Sequence, residues 1–153
     1  MVGYLLYSYF FYTCCAPEKD AGQDFGTIDE SFKDPDLTYT KREFSSMCST
    51  PDGEGSCNFN TYLYLSGKLV IETCYGSTDS ATVTEKQLSK NQVEKIILAI
   101  KNSDVLNKEC QHGKAYDYSA TYYLNVDGVK KIFEFPECES ELREIDTLIN
   151  AAR

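Results

Sequence analysis

Apolar and polar residues alternate on both sides of the dipeptide Asp127-Gly128, and this pattern predicts a β-hairpin over residues 118–135. Asp-Gly supplies the two positive φ angles that a type I′ turn requires. Four cross-strand pairs form one mostly apolar face of the hairpin: Val126 with Val129, Leu124 with Lys131, Tyr122 with Phe133, and Ala120 with Phe135. Because two strands alone are only marginally stable in water, we expect other elements to cover this face.

Two amphipathic helices are predicted to supply that cover. The first spans Leu88–Asp104, where Ser89 is the expected N-cap and Gln92 completes a capping box. Its apolar stripe consists of Val93, Ile96, Ile97 and Ile100. The second helix follows Pro136, with Ser140 as its expected N-cap, and its stripe consists of Leu142, Ile145, Leu148, Ile149 and Ala152. Both stripes have the spacing of a helix that packs on a core.

The chain before the first helix predicts further strands. Leu37–Phe44 alternates weakly and is expected to be an edge strand, whereas Asn58–Thr73 is expected to fold about Ser66-Gly67 into a second hairpin. Ala81–Glu85 is a candidate for one short additional strand. The second hairpin is expected to carry two sets of residues on opposite faces: Tyr62, Tyr64, Leu69 and Ile71 on one, and Leu63, Leu65 and Val70 on the other.

These elements predict an α+β fold for residues 37–153, as a single domain large enough for its own core. The expected architecture is a four- to five-stranded antiparallel sheet with two helices on one face. The expected order along the chain is β-β-β-α-β-β-α.

The N-terminal residues resemble the leader of a bacterial or archaeal lipoprotein. Residues 2–12 are apolar and uncharged and are followed by Thr13-Cys14-Cys15, but eleven residues are too few for a span, which needs about 20. The resemblance implies a leader over residues 1–15 and acylation of Cys15 or Cys14. The small-residue box of such leaders is missing, so the choice between the two cysteines stays open. The alternative is that residues 2–12 form a strand or helix of the fold.

Residues 16–36 are polar and aperiodic, with scattered Asp, Gly and Pro. A segment of this composition buries too little apolar surface to offset the entropy lost on ordering. The sequence therefore predicts a flexible acidic tether between the leader and the domain.

The chain has seven cysteines, one histidine and no Cys-x-x-Cys pair, a usage that favours disulfides in an oxidising compartment over a zinc site. Cys48 and Cys57 bracket a turn-forming segment and are predicted to bond, although Cys57–Cys74 is a rival. The hairpin register places Cys138 opposite residue 117, which makes Cys110 its expected partner. The alternative is a set of reduced, buried cysteines in a cytosolic protein.

The net charge and the few candidate catalytic side chains reduce the number of possible functions. The net charge of −9 and the pI near 4.6 argue against nucleic acid as a partner, because phosphate binding needs clustered Lys and Arg. Cys110 and His112 are the only visible candidates for a nucleophile and its base, and no orienting third group accompanies them. We therefore expect no enzymatic activity, no cofactor and no metal.

From Leu88 onward the layout resembles two groups of proteins. One is the small prokaryotic lipoprotein domains of unknown function, in which a Cys-bracketed strand pair precedes a helix and a Gly-turn hairpin. The leader, the tether, the cysteine pairs and the missing catalytic set lead us to expect a non-enzymatic, envelope-anchored domain that binds a protein or ligand outside the cytoplasm, with its membrane contact made through an N-terminal lipid.

The other group is the emfourin-like inhibitors of thermolysin-type metalloproteases. Their helix, aromatic hairpin and closing helix resemble Ser89–Asn102, the hairpin from Tyr116-Asp117-Tyr118 to Phe135, and Ser140–Ala152. This second resemblance implies a proteinaceous inhibitor of a metalloprotease. It provides no inhibitory residues that can be transferred to this sequence.

Overall fold

The structure is a computed structural model that describes residues 34–50, 53–75, 81–111, 113 and 118–153. The leader predicted at 1–15 and the tether predicted at 16–36 lie outside these residues, apart from Asp34-Pro35-Asp36. Those three residues form a turn in which the Leu37 N–H donates to the Asp34 carbonyl at 3.3 Å.

The described residues form an antiparallel sheet of six strands and two helices. In chain order the elements are β1 (Leu37–Thr50), β2 (Gly53–Tyr64), β3 (Lys68–Tyr75), β4 (Thr82–Gln87), α1 (Lys90–Asn102), β5 (Tyr118–Val126), β6 (Val129–Glu134) and α2 (Glu139–Ala152). The order of strands across the sheet is β4-β3-β2-β1-β5-β6. The α+β class is confirmed.

The predicted strand count and element order are wrong, because the sheet has six strands in the order β-β-β-β-α-β-β-α. β4 accounts for the difference; it overlaps the candidate strand Ala81–Glu85 and extends to Gln87. All six of its side chains are exposed, and it is held at the sheet edge by backbone pairing with β3. A strand with no buried face leaves little apolar alternation in the sequence. β1 is also not an edge strand, because it lies between β2 and β5.

The central hairpin has the predicted register. Val126 lies opposite Val129 and Tyr122 opposite Phe133, and the Phe135 N–H donates to the Ala120 carbonyl at 2.8 Å. Asp127 and Gly128 have φ angles of 53° and 80°, as a type I′ turn requires.

The predicted faces of the β2–β3 hairpin are wrong by one residue. Leu63 lies opposite Leu69 and shares its face, whereas Tyr62 lies opposite Val70. The connection contains three residues, Leu65 to Gly67, and Gly67 takes a φ angle of 88°. Because side chains alternate with a period of two, one residue of register exchanges the two faces of a strand.

The N-terminus of α1 was predicted correctly from the sequence, and that of α2 was not. At α1 the capping box is confirmed: the Ser89 N–H donates to Gln92 Oε1 at 3.0 Å, and the Gln92 N–H donates to Ser89 Oγ at 3.4 Å. At α2 the predicted cap Ser140 is wrong, because the helix begins at Glu139 with Cys138 in the capping position. The Cys138 carbonyl accepts the Leu142 N–H at 3.0 Å, which starts the helix earlier than expected.

Both helices pack on the same face of the sheet, as predicted. The buried core joins residues of both helices to the inward-facing strand residues: Val93, Ile96, Ala99 and Ile100 of α1; Leu142, Ile145, Ile149 and Ala152 of α2; and Tyr39, Leu63, Leu69, Ala120, Tyr122, Leu124, Val126 and Phe133 of the sheet. The predicted stripe residues Ile97 and Leu148 are only partly buried at its margin.

Candidate functional site

A disulfide joins Cys48 on β1 to Cys57 on β2, with Cα atoms 6.2 Å apart. The register between these strands shifts between Ser45 and Cys48, which lie opposite Cys57 and Gly55 respectively. The predicted rival Cys57–Cys74 is not formed. Cys74 lies opposite Asn58, the neighbour of Cys57 on β2, so the side chains of Cys57 and Cys74 extend to opposite faces of the sheet.

A second disulfide joins Cys110 to Cys138, with Cα atoms 5.3 Å apart and a sequence separation of 28 residues. It ties the loop after α1 to the start of α2. Cys110 therefore carries no free thiol, which removes the nucleophile from the Cys110–His112 pair considered above. His112 lies outside the described residues.

The disulfides indicate an oxidising, extracytoplasmic location, because such bonds persist where thiols are not kept reduced. Neither of the two described helices has the length and apolar character needed to cross a membrane. Within the described ranges, no group of three or more His, Cys, Asp or Glu side chains is placed to hold a metal ion.

The helix-facing side of the sheet also carries a cluster of charged and phenolic side chains, which we call the Asp146 cluster. Its members are Tyr39, Lys41, Glu43, Tyr118, Tyr122, Asp146 and Arg153. The Asp146 carboxylate, on α2, accepts three hydrogen bonds from the sheet: Tyr39 Oη donates at 2.9 Å, Lys41 Nζ at 2.8 Å and Tyr122 Oη at 2.8 Å.

Glu43 is the second carboxylate of the cluster. Tyr118 Oη donates to Glu43 Oε1 at 2.7 Å, and Lys41 Nζ lies 3.0 Å from the same oxygen. Arg153 Nη2 lies 3.7 Å from Glu43 Oε2 and donates to Thr61 Oγ1 at 2.6 Å. Lys41 is thus paired with two carboxylates, one on its own strand and one on α2.

The electrostatics of the Asp146 cluster keep its phenols protonated. Burial raises the pKa of Tyr39 well above its ordinary value, and the negative charge of Asp146 raises it further. Burial is also the largest cause of the raised pKa of Tyr122, again followed by Asp146. The pKa of Tyr118 is raised by burial and by its hydrogen bond to Glu43. Protonated phenols donate hydrogen bonds, and the three tyrosines donate to the two carboxylates of the cluster.

No motif in the sequence predicted this cluster, although one signal for it is present. Tyr39, Lys41 and Glu43 alternate along β1, which places three polar side chains on one face of an interior strand. A buried polar row of this kind requires partners from another element. The partner residue Asp146 lies 107 residues from Tyr39, and no local pattern connects the two.

A surface groove of about 490 Å³ lies where the β2–β3 turn meets the start of α1. Its lining consists of Leu65, Ser66, Gln87, Leu88, Lys90, Val93, Glu94 and Ile97. Leu65 lies in the turn and is half exposed, and Gln87 Nε2 donates to the Ser66 carbonyl at 2.8 Å. Lys90 and Glu94 form a solvent-exposed ion pair beside the apolar lining, with 3.6 Å between Nζ and Oε1.

No protein-family model matches the chain, and no curated protein matches it either. The fold and the bonded cysteines define a class: a disulfide-stabilised α+β domain with a six-stranded antiparallel sheet.

Proposed function

We propose that the protein is a non-enzymatic, extracytoplasmic domain that is anchored to the cell envelope by an acylated N-terminal cysteine and binds a protein or ligand there. The observation that carries this proposal is the pair of disulfides, which indicates an oxidising compartment. The proposed membrane anchor is supported by the apolar run at residues 2–12, which is followed by Cys14 and Cys15.

The state of the reactive side chains supports a non-enzymatic role. The sulfur of Cys110 is bonded to Cys138, and the phenols of Tyr39 and Tyr122 donate to Asp146. Lys41 is paired with two carboxylates at 2.8 and 3.0 Å. The contacts to Asp146 hold α2 against the sheet, and the disulfide ties the loop before β5 to the start of α2; both roles are structural.

The groove beside α1 is the proposed contact surface. Its volume of about 490 Å³ is within the range of ligand pockets, roughly 300–1,000 Å³. Half of its lining is apolar and suits an aliphatic or aromatic group of the partner, and the ion pair between Lys90 and Glu94 supplies part of a polar rim. Leu65 is 50% exposed, which places an apolar side chain where a partner can contact it.

Anchoring is tested with the full chain produced in a bacterial host. We expect the protein to partition into the detergent phase and to carry a fatty acyl group. The double variant Cys14→Ser/Cys15→Ser should partition into the aqueous phase. A wild-type chain that is unacylated and aqueous overturns the anchoring proposal.

Binding is tested by capture from a detergent-solubilised envelope fraction with three forms of the full chain. Leu65→Asp, which changes the groove, should lose the captured partner. Leu98→Asp should keep it, because Leu98 is similarly exposed, at 56%, but does not line the groove. Equal capture by all three forms rejects the groove as the contact surface.

The second candidate function is inhibition of a metalloprotease through the β5–β6 hairpin. The observation that favours it is the exposure of two apolar hairpin residues, Val129 at 46% and Ile132 at 39%. A hairpin held in one register presents such side chains with little loss of entropy on binding. Incubation with a thermolysin-type protease at micromolar concentration decides the question. Inhibition that Ile132→Asp abolishes supports this function, whereas full protease activity in the presence of the wild-type chain rejects it.

A further inference from the structure

The face of the sheet opposite the helices, which we call the outer face, is buried at its centre. Its residues include Thr40, Tyr62, Val70, Glu72, Cys74 and Tyr123, as the pairing of β1 with β2 and β5, and of β2 with β3, shows. Thr40 and Cys74 are 0% exposed, Tyr123 is 3% exposed and Glu72 is 5% exposed.

No described element accounts for this burial. All six described strands belong to the one sheet, and both described helices pack on its other side. Towards the edges the outer face is open, since Val83 on β4 is 53% exposed and Ile132 on β6 is 39% exposed. A sheet face that is buried only at its centre requires a narrow cover of limited length.

The cysteines identify the segment that supplies the cover. Cys74 lies on the outer face and is disulfide-bonded. Cys48 bonds Cys57, and Cys110 bonds Cys138, so these four cysteines are already used. Of the seven cysteines in the chain, only Cys14 and Cys15 remain as partners for Cys74 within the same molecule.

We propose that Cys15 is the disulfide partner of Cys74, that residues 16–33 cover the outer face, and that Cys14 is the acylated residue. The assignment of the two cysteines rests on the proposed lipid anchor. In a processed lipoprotein the acylated cysteine becomes the first residue. Acylation of Cys15 would remove Cys14 and leave Cys74 without a partner, whereas acylation of Cys14 retains Cys15.

Length permits this arrangement, and the proposed disulfide would reduce the ordering entropy that the polar composition of the segment does not offset by itself. Cys15 and Asp34 are nineteen residues apart, which corresponds to about 60 Å when extended. Leu37 lies opposite Tyr64 on β2, and Cys74 on β3 lies opposite Asn58, six residues further along β2. At ordinary strand spacings, the distance from Leu37 to Cys74 is roughly 25 Å. The segment also carries three apolar side chains that a cover needs: Phe25, Ile28 and Phe32.

The bond forms by oxidation of two thiols. Cys15 and Cys74 each lose a proton and an electron as the S–S bond forms. A disulfide-bearing thiol oxidoreductase of the envelope accepts both electrons and both protons and is reduced to its dithiol. The result places the lipid one residue from a covalent attachment on the sheet. The outer face is then held close to the membrane instead of at the end of a free tether.

The experiment maps disulfides in the full chain purified from the host envelope, alkylated without reduction, digested and analysed by mass spectrometry. We expect a peptide that links Cys15 to Cys74 and carries an acyl group on Cys14. Alkylated Cys74, a Cys14–Cys74 peptide, or a Cys74–Cys74 peptide from two chains overturns the proposal. A Cys15–Cys74 peptide without acylation supports the bond and the cover, and overturns the lipid anchor alone.

The cover itself is tested by limited trypsin digestion of the folded chain at Lys19 and Lys33. Cys15→Ser, which leaves the sheet residues unchanged, should accelerate cleavage at these sites by about tenfold or more. Cys48→Ser removes a different disulfide and should leave the rate at these two lysines near that of the wild type. Equal cleavage rates in the wild type and Cys15→Ser overturn the proposed cover.

Discussion

Tyr122 in the sheet and Asp146 on α2 form a hydrogen bond of 2.8 Å, in which the phenol donates to the carboxylate. The same carboxylate accepts from Tyr39 and Lys41. One side chain of α2 therefore ties that helix to two adjacent strands, β1 and β5. Because the site is largely shielded from water, losing its charge leaves several donors without a full partner.

Asp146→Asn should lower the free energy of unfolding by about 1–3 kcal/mol, because Lys41 loses one of its two carboxylates and the phenols lose a charged acceptor. Urea unfolding at neutral pH measures this. The control is Asp127→Asn, which removes a solvent-exposed ion pair with Lys101 and should cost less than about 1 kcal/mol. Equal losses in the two variants would show that the Asp146 cluster does not stabilise the fold.

Stability should decline in alkaline solution because the pKa values of Tyr39 and Tyr122 are raised in the folded chain. Unfolding returns these phenols to a pKa of about 10, so above that pH the unfolded chain releases protons that the folded chain retains. This contribution to stability is fully present below pH about 10 and is lost as the pH rises beyond it. Urea unfolding across this range, with tyrosinate absorbance as a second measurement, tests the prediction.

Tyr122→Phe provides the control for the alkaline prediction, since it removes one of the raised phenols and keeps the ring. The variant should show a shallower decline of stability with pH than the wild type. If tyrosinate absorbance instead develops fully in the folded protein near pH 10, the proposed protonation state is wrong.

The two disulfides should contribute unequally to stability. Their sequence separations are 9 residues for Cys48–Cys57 and 28 residues for Cys110–Cys138. A disulfide typically raises the free energy of unfolding by about 2–4 kcal/mol. If this effect comes from chain entropy, the disulfide that closes the longer loop should contribute about 1 kcal/mol more than the other. The double variants Cys48→Ser/Cys57→Ser and Cys110→Ser/Cys138→Ser are compared by urea unfolding. A larger loss from the shorter loop would contradict the entropic account.

Two turn glycines with similar φ angles should respond differently to alanine. Gly67 has a φ of 88°, and a Cβ there would lie 2.7 Å from both Gln87 Nε2 and the Leu88 carbonyl oxygen. Gly128 has a φ of 80°, and nothing lies within 4 Å of its Cβ position. Gly128→Ala should cost about 1–2 kcal/mol from backbone strain alone, and Gly67→Ala should cost more. Thermal unfolding of both variants tests this, and equal costs would mean that the close approach at Gly67 relaxes freely.

The elements that could be predicted from the sequence are those specified by neighbours along the chain. The turn at Asp127-Gly128 and the capping box of Ser89 with Gln92 each involve residues within four positions of one another, and both are present as predicted. The apolar stripes of the two helices could be predicted because burial of one helix face makes apolar residues recur every three to four positions. The partners in the two disulfides could be predicted because the turn between Cys48 and Cys57, and the hairpin register near Cys138, restricted the possible pairings.

The features that the sequence did not specify depend on residues far apart in the chain. β4 presents no buried face, so the sequence offered Ala81–Glu85 only as a candidate strand, and the backbone pairing with β3 places it in the sheet. The faces of β2 and β3 depended on a three-residue turn whose length the apolar pattern does not encode. The Asp146 cluster joins residues 107 positions apart, and the buried outer face becomes visible only once the sheet is assembled. Local periodicity reports which side of an element is buried, whereas the partner that buries it is decided by the packing of the whole chain.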